Sequence, residues 1–444
     1  MVKIPEKAPD WQTIVNKDLK KIFKIYQEEE IQSLIEKTDC LYYYWDKIRS
    51  QPLSKKFDKE EVWAFIRFRR HMNSSPTALL DINNKPFTFW LTDDIQKNLH
   101  LIDQNTGGNL ALWDPGNEKK ASARYMISSL MEEAITSSQI EGAVATIKEA
   151  KKMLLEKRKP KNKSEQMIYN NFITMQSIKE ICKQELSVEL LLKLHVSITK
   201  DTLDAKEEEG RFRVSQDNVT VATNYGELLF TPPSAEEIEK RLETLIQFAN
   251  DTSNKPFIHP VVKAIILHFW MAYIHPFTDG NGRMARTLFY WYMLKHEYWL
   301  FEYTSISKTI LKRTTKYANA YLYSEHDDND LTYFIHFHIE VIMDAVEDFK
   351  KHIQVEREKN HQILAEIAEH PDLNIRQTRI IHHIISHPHD ILTIKMHQNI
   401  NSVSYQTARA DLLELEKRSW LKSVKKGKTF YFVPTDDLWE KLEK

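Results

Sequence analysis

Residues 261–274, VVKAIILHFWMAYI, are apolar on nearly every side of a 3.6-residue helix, and such a helix is buried all round. HPFTDGNGRMAR follows at once as residues 275–286, and the helical spacing resumes through GRMARTLFYWYMLKHE. The order is buried helix, tight loop, second helix, with the loop at the mouth of the core. Only nine glycines occur in 444 residues, and two of them, Gly280 and Gly282, flank Asn281. Glycine belongs where the backbone turns through positive φ or approaches a ligand closely, and elsewhere it costs entropy.

Few glycines, sparse turn signals and long stretches of helical spacing give a mainly α protein. At about 100–200 residues per domain the length suggests two or three folding units. We divide the chain into an N-terminal helical region (1–120), a core (121–345) containing an amphipathic helix over 122–142, a helical linker (346–372) and a C-terminal domain (373–444). Further helices are expected at about 166–183, 187–200 and 235–250. The segment NNKPFTFWL reads as irregular or as a small hairpin, whereas residues 210–233, with alternating Val219, Val221 and Thr223 and an NYG turn, carry the better strand signal.

A formal net charge of −1 excludes a globally basic nucleic-acid coat, although a local basic module fits inside a neutral total. Cys40 and Cys182 are too few for a disulfide framework or a cysteine zinc site, which makes the cytoplasm the default compartment. The N-terminus has no apolar stretch of signal-peptide length, and no apolar run approaches a membrane span, so no membrane partner is expected.

The loop has the makings of an anion site. A helix N-terminus leaves N–H groups unpaired beside a partial positive charge, and Gly280, Asn281 and Gly282 would line that cradle. Arg283 and Arg286, three apart on the first turn, reach the same side, and guanidinium groups suit phosphates. Asp279 would only neutralise this cradle unless Mg²⁺ bridged carboxylate and phosphates, so a nucleotide with Mg²⁺ is the simplest ligand. His275 can take a hydroxyl proton near neutral pH.

HPFTDGNGRMAR matches the Fic-family signature H-P-F-x-[DE]-G-N-G-R-x-x-R at every position, and the chain resembles that family over about residues 120–345. The resemblance implies a helical core that transfers AMP from ATP to a Tyr, Thr or Ser hydroxyl of a target protein. It makes His275 the general base, Asp279 the Mg²⁺ ligand, Gly280, Asn281 and Gly282 the anion hole, Arg283 the β-phosphate contact and Arg286 the γ-phosphate contact. Phe277 and Pro276 take packing roles. Gly282 stands where Doc-type kinases of the family carry lysine, which favours AMP transfer. The 210–233 hairpin resembles the family's flap, with Val221, Ala222, Thr223 and Asn224 over the nucleotide and an exposed strand for an extended target segment. Tyr317 falls where relatives place tyrosines near adenine, although ordinary helix packing accounts for it better.

Upstream, SSQIEG matches the family's inhibitory pattern [ST]-x-x-x-E-[GN] through Ser137, Glu141 and Gly142. The resemblance implies that Glu141 pairs with Arg286, takes the place of the γ-phosphate and leaves ATP misaligned. Two other activities remain open: removal of AMP from a modified protein, with Glu141 orienting water, and a DNA-binding regulator whose core senses nucleotide.

From residue 374 the helices shorten, and the order is that of a winged helix: a third helix with Tyr405, Thr407 and Arg409 near its start, then a lysine-rich hairpin turning at Gly427. Across 391–430, Lys395, Arg409, Lys417, Arg418, Lys422, Lys425, Lys426 and Lys428 outnumber Asp411, Glu414 and Glu416. That surplus suits DNA phosphates, and a homodimer or protein-docking role stands beside it because fold alone does not give function.

Overall fold

The computed structural model describes residues 4–106, 119–222, 226, 228–253, 255–368, 373–386, 392–426, 429–435 and 438. Among the described residues the protein is mainly helical with three separate two-stranded antiparallel hairpins. The chain forms two compact units, Met1–Glu347 and Asp348–Lys444. Among the described residues no helix is long and apolar enough to cross a membrane.

The first unit opens with helices α1 (Trp11–Lys17), α2 (Leu19–Ile25), α3 (Glu29–Leu41), α4 (Trp45–Ser50) and α5 (Lys59–Asn73). They bury Trp11, Ile31, Ile48, Trp63 and Ile66 in one apolar cluster. The hairpin β1 (Ser75–Leu80) and β2 (Pro86–Phe89) follows, then α6 (Asp93–Thr106). This hairpin exceeds the expectation, since 83–91 read as irregular or a small hairpin; Pro76 and Pro86 interrupt the alternation that marks strands. Buried Arg67 on α5 reaches Asp327 at 2.7 Å and Asp330 at 3.0 Å, tying the N-terminal helices to the later part of the same unit.

Next come α7 (Lys119–Ile140), α8 (Ile147–Leu155), α9 (Lys163–Ile181) and α10 (Val188–Thr199). The α9 helix starts earlier than its apolar spacing suggests because Asn162 caps it, accepting the N–H of Glu165 at 2.9 Å. The flap strands β3 (Val221–Ala222) and β4 (Leu228–Phe230) are short, pairing Val221 with Phe230 and Ala222 with Leu228. Thr223 and Asn224, the other two residues assigned to the flap, lie outside the described residues.

The core continues with α11 (Ile238–Asn250), α12 (Pro260–Ile274) and α13 (Asn281–Lys295). Helix α12 is buried along nearly its whole length, as its unbroken apolar character requires. Pro260 opens it at a position where the missing N–H costs nothing. The unit is completed by α14 (Ile306–Lys312), α15 (Thr314–His326) and the long α16 (Thr332–Ala368), whose last part belongs to the second unit.

The second unit also holds α17 (Ile375–Ser386), α18 (Ile394–Asn401), α19 (Tyr405–Lys417) and the hairpin β5 (Leu421–Lys426) and β6 (Thr429–Pro434). Ile381, Leu392, Leu412, Leu415, Leu421 and Phe432 form its core. An isolated bridge from Leu392 to Phe432 joins the segment before α18 to the hairpin. The expected turn residue Gly427 lies outside the described residues.

Candidate active site

The loop between α12 and α13 is shaped by two backbone turns. His275 ends α12 in the left-handed region at φ 50°, and Gly280 caps α13 at φ 84°. A β-carbon on Gly280 would meet Thr199 Cγ2 at 2.9 Å, so both the dihedral and the packing demand glycine there. Asn281 staples the loop shut: its amide oxygen accepts the N–H of Phe277 at 3.0 Å, and its amide nitrogen donates to the Phe277 carbonyl at 2.8 Å. The Asn281 side chain is therefore buried in the loop, and only its backbone N–H faces the position expected of an anion hole.

Three residues outside the motif hold this loop. Fully buried His195 on α10 stacks flat on Phe277, with centroids 3.7 Å apart and planes 6° apart. Its Nδ1 accepts the Gly210 N–H at 3.0 Å, so the neutral ring carries its proton on Nε2 and donates to the Asp279 carbonyl at 3.0 Å. Burial lowers the pKa of His195 to about 4, which keeps the ring neutral. Buried Arg213 clamps the other side, donating from Nε to the His275 carbonyl at 2.7 Å and from Nη2 to the Pro233 carbonyl at 2.5 Å. Its backbone N–H donates to the Pro276 carbonyl at 2.8 Å. Thr278 donates its hydroxyl to Glu208 at 2.8 Å.

His275 is half-buried. Nδ1 lies 3.2 Å from the Ala272 carbonyl, which can only accept, so a neutral ring leaves the lone pair on Nε2. Burial lowers its pKa from the usual value and favours that neutral form. Half-exposed Asp279 accepts the Gly280 N–H at 2.5 Å and lies 3.6 Å from Arg283.

The two arginines on α13 are almost wholly buried and differ in their partners. Arg286 donates from Nε to the Ser137 hydroxyl at 2.8 Å and from Nη2 to the Ser137 carbonyl at 2.9 Å and to Glu141 Oε1 at 2.7 Å. Arg283 donates to the Ile198 carbonyl at 3.0 Å, while its Nε and Nη2, like Nη1 of Arg286, have no hydrogen-bond partner among the described residues. Burial holds the pKa of Arg283 below the usual arginine value. Buried guanidinium donors with unmet hydrogen-bonding capacity beside a helix N-terminus are groups that an anion would satisfy.

Glu141 sits just past α7, which closes by folding back: the Ala143 N–H donates to the Ser138 carbonyl at 3.0 Å, and Gly142 takes φ 90°. Its carboxylate lies beside Gly282. Helices α7 and α13 meet in three rungs four residues apart, Glu141 at Gly282, Ser137 at Arg286 and Glu133 at Tyr290. In the third rung buried Glu133 accepts the Tyr290 hydroxyl at 2.8 Å, the Ser305 hydroxyl at 2.8 Å, and the Ser307 N–H at 3.0 Å and hydroxyl at 2.5 Å.

The other named residues are more peripheral. Val221 is half-buried and Ala222 exposed on the flap, and Phe230 of its partner strand packs on Tyr273 with centroids 5.1 Å apart. The Tyr317 hydroxyl lies 2.9 Å from His268 Nε2 and 3.2 Å from the Tyr321 hydroxyl, in an aromatic cluster with Phe334, Phe337 and His338.

Residues 185–293 match the model of the Fic/DOC family. Protein adenylyltransferase fic-1 of Caenorhabditis elegans is 36% identical over 104 residues, 23% of this chain and 18% of that protein. Protein adenylyltransferase Fic of Nematostella vectensis is 38% identical over 84 residues, 18% of this chain and 17% of that protein. The chain thus spans less than a fifth of the length of these curated relatives. Among solved structures, a Fic family protein from Desulfovibrio desulfuricans G20 aligns at a TM-score of 0.49 and 20% identity, over 77% of this chain and 94% of that one. The match to the Fic/DOC family thus falls on residues 185–293, which contain His195, Arg213 and the whole 275–286 loop, and the curated proteins similar to this chain are named protein adenylyltransferases.

Proposed function

We propose that this chain transfers AMP from ATP to a Tyr, Thr or Ser hydroxyl of a target protein and that Glu141 restrains the transfer. The observation that carries this reading is the placement of a carboxylate, Glu141, on Arg286 and beside Gly282, inside an otherwise cationic cradle. A negative group seated there marks where a phosphate would sit.

In this reading Nε2 of His275 takes the proton of the target hydroxyl as its oxygen bonds to the α-phosphorus. The bond from that phosphorus to the bridging oxygen breaks, and pyrophosphate leaves. Arg283 holds the β-phosphate, Arg286 the γ-phosphate, and the N–H groups of Gly280, Asn281 and Gly282 the developing anion. His195 and Arg213 keep the loop in register. The flap edge at Val221 and Ala222 takes an extended target segment by strand addition.

The residues present fit Mg²⁺: among the described residues no cluster could cage a metal alone, and Asp279 offers a half-exposed carboxylate beside the arginines, the single protein ligand that suits a cation shared with phosphates. When bound it would neutralise phosphate charge. With Glu141 on Nη2 of Arg286, a carboxylate holds the place of the γ-phosphate, and misplacing a reacting centre by a small distance costs about 10²-fold. The test is incubation with ATP labelled at the α-phosphate: label enters protein, and His275→Ala abolishes this while retaining ATP binding. Label transfer at the wild-type rate by His275→Ala would overturn the reading, as would AMP release from a modified protein that Glu141→Gly abolishes.

A further inference from the structure

The second unit carries a charge asymmetry that its own packing creates. Between residues 394 and 426 there are three acidic side chains, and each has a partner within the unit, exposed Glu414 among them. Asp411, almost fully buried, accepts Nε and Nη2 of Arg376 on α17 at 2.8 and 3.0 Å and lies 3.0 Å from Nε2 of buried His397 on α18. Glu414 pairs with Arg418 at 2.5 Å, and Glu416 accepts the Ser423 N–H at 3.0 Å. The cations Lys395 on α18, Arg409 and Lys417 on α19, and Lys425 on β5 are all exposed. The surface left to solvent is therefore cationic although the chain as a whole is nearly neutral.

The geometry beneath that surface is rigid. Asp411 binds α17, α18 and α19 into one polar knot, and Leu412 and Leu415 fill the apolar side of α19. Helices α18 and α19 are joined by the three residues 402–404, with Ser402 in the left-handed region at φ 50°. Ser404 caps α19, accepting the Thr407 N–H at 3.1 Å. A turn of three to four residues is the spacing of a helix-turn-helix whose second helix enters a groove. Opposite its buried face, α19 shows Gln406, Arg409, Leu413 and Lys417 in one exposed stripe at intervals of three and four residues.

We propose that α18, α19 and the β5–β6 hairpin bind duplex DNA, with α19 in the major groove. Gln406 and Arg409 face base edges, where amide and guanidinium groups bond adenine and guanine in pairs. Lys395 and Lys417 meet phosphates beside the groove, and Lys425 near the hairpin tip meets the backbone further along. This inference does not depend on AMP transfer.

The test titrates the full chain onto a fluorescein-labelled duplex about 24 base pairs long, of mixed sequence, read by anisotropy between about 50 and 200 mM salt. Wild type binds, and its affinity falls steeply with salt. The Lys395→Ala, Lys425→Ala double variant lowers the slope of log affinity against log salt by about two. Arg409→Ala weakens binding about tenfold to a sequence selected from a random pool, and much less to the mixed duplex. All substituted side chains are exposed, so unchanged circular dichroism accompanies each loss. The absence of binding at the lowest salt overturns the proposal. So does binding of heparin and duplex alike with no effect of Arg409→Ala, which marks a surface for acidic partners in general.

Discussion

The carboxylate of Glu141 lies in the space that a side chain on residue 282 would occupy: a β-carbon there would meet Cδ of Glu141 at 2.7 Å and Oε2 at 3.0 Å. Unlike Gly280, Gly282 has no positive φ, so its backbone would accept alanine, and a β-carbon there would oblige the Glu141 carboxylate to move. Gly282→Ala should therefore displace the Glu141 carboxylate and cost stability in the wild-type chain by about 1 kcal/mol at most, the low end of overpacking, and nothing in a Glu141→Gly background. A double-mutant cycle in thermal unfolding reads the coupling. Equal losses in both backgrounds would show that something other than Glu141 crowds residue 282.

Glu141→Gly should raise label transfer from ATP by about tenfold or more, because a coupled charge pair of this kind is worth several kcal/mol and about 1.4 kcal/mol is a decade in rate. Arg286→Ala in the same background should abolish the gain, since Arg286 is then absent from the γ-phosphate. Initial rates with α-labelled ATP decide it. A gain that survives loss of Arg286 would mean that Glu141 acts by some other route.

Glu133 tests whether the α7 ladder sets the strength of the restraint proposed for Glu141. Glu133→Ala would leave the Tyr290, Ser305 and Ser307 donors without their buried acceptor, and the loss should be about 3 kcal/mol or more. Glu133→Gln should recover only part, because its amide nitrogen opposes donors where an acceptor is needed. Below the melting transition, Glu133→Gln should also raise basal labelling by loosening α7 from α13. Unchanged labelling with lowered stability would make Glu133 a packing residue only.

The 275–286 loop and α12 were legible because their signals are local: twelve consecutive positions carry the motif that begins at His275, and uniform apolarity marks a buried helix. The pairing of Glu141 with Arg286 was legible only through resemblance, since nothing in the spacing of two residues 145 apart says that they meet. His195 and Arg213 were missed. A histidine on an apolar helix reads as core packing, and its stack on Phe277 is a contact made by the fold. Arg213 lay within a segment read for strand alternation, which says nothing of a guanidinium turned onto carbonyls. The β1–β2 hairpin was underread because its prolines stand on a short edge pair, where the missing N–H groups are tolerated.

His195 gives a prediction in pH. Its folded pKa is about 4 against an ordinary value of 6.5, so between those values the unfolded chain binds a proton that the folded chain refuses. Stability therefore rises with pH across this window, is complete above about 6.5, and declines as pH falls toward 4. At about 1.36 kcal/mol per pKa unit the loss from this one group is about 3 kcal/mol. His195→Gln removes the titration while leaving an amide able to donate to the Asp279 carbonyl, so the variant should lose less stability between pH 6.5 and 4 than wild type. Burial also lowers His268 and His338, so an acid limb remains in the variant and only its depth changes. Denaturant unfolding of both proteins across the window measures this. If the two curves stay parallel, His195 is protonated in the folded chain and cannot hold Asp279 with Nδ1 accepting from Gly210.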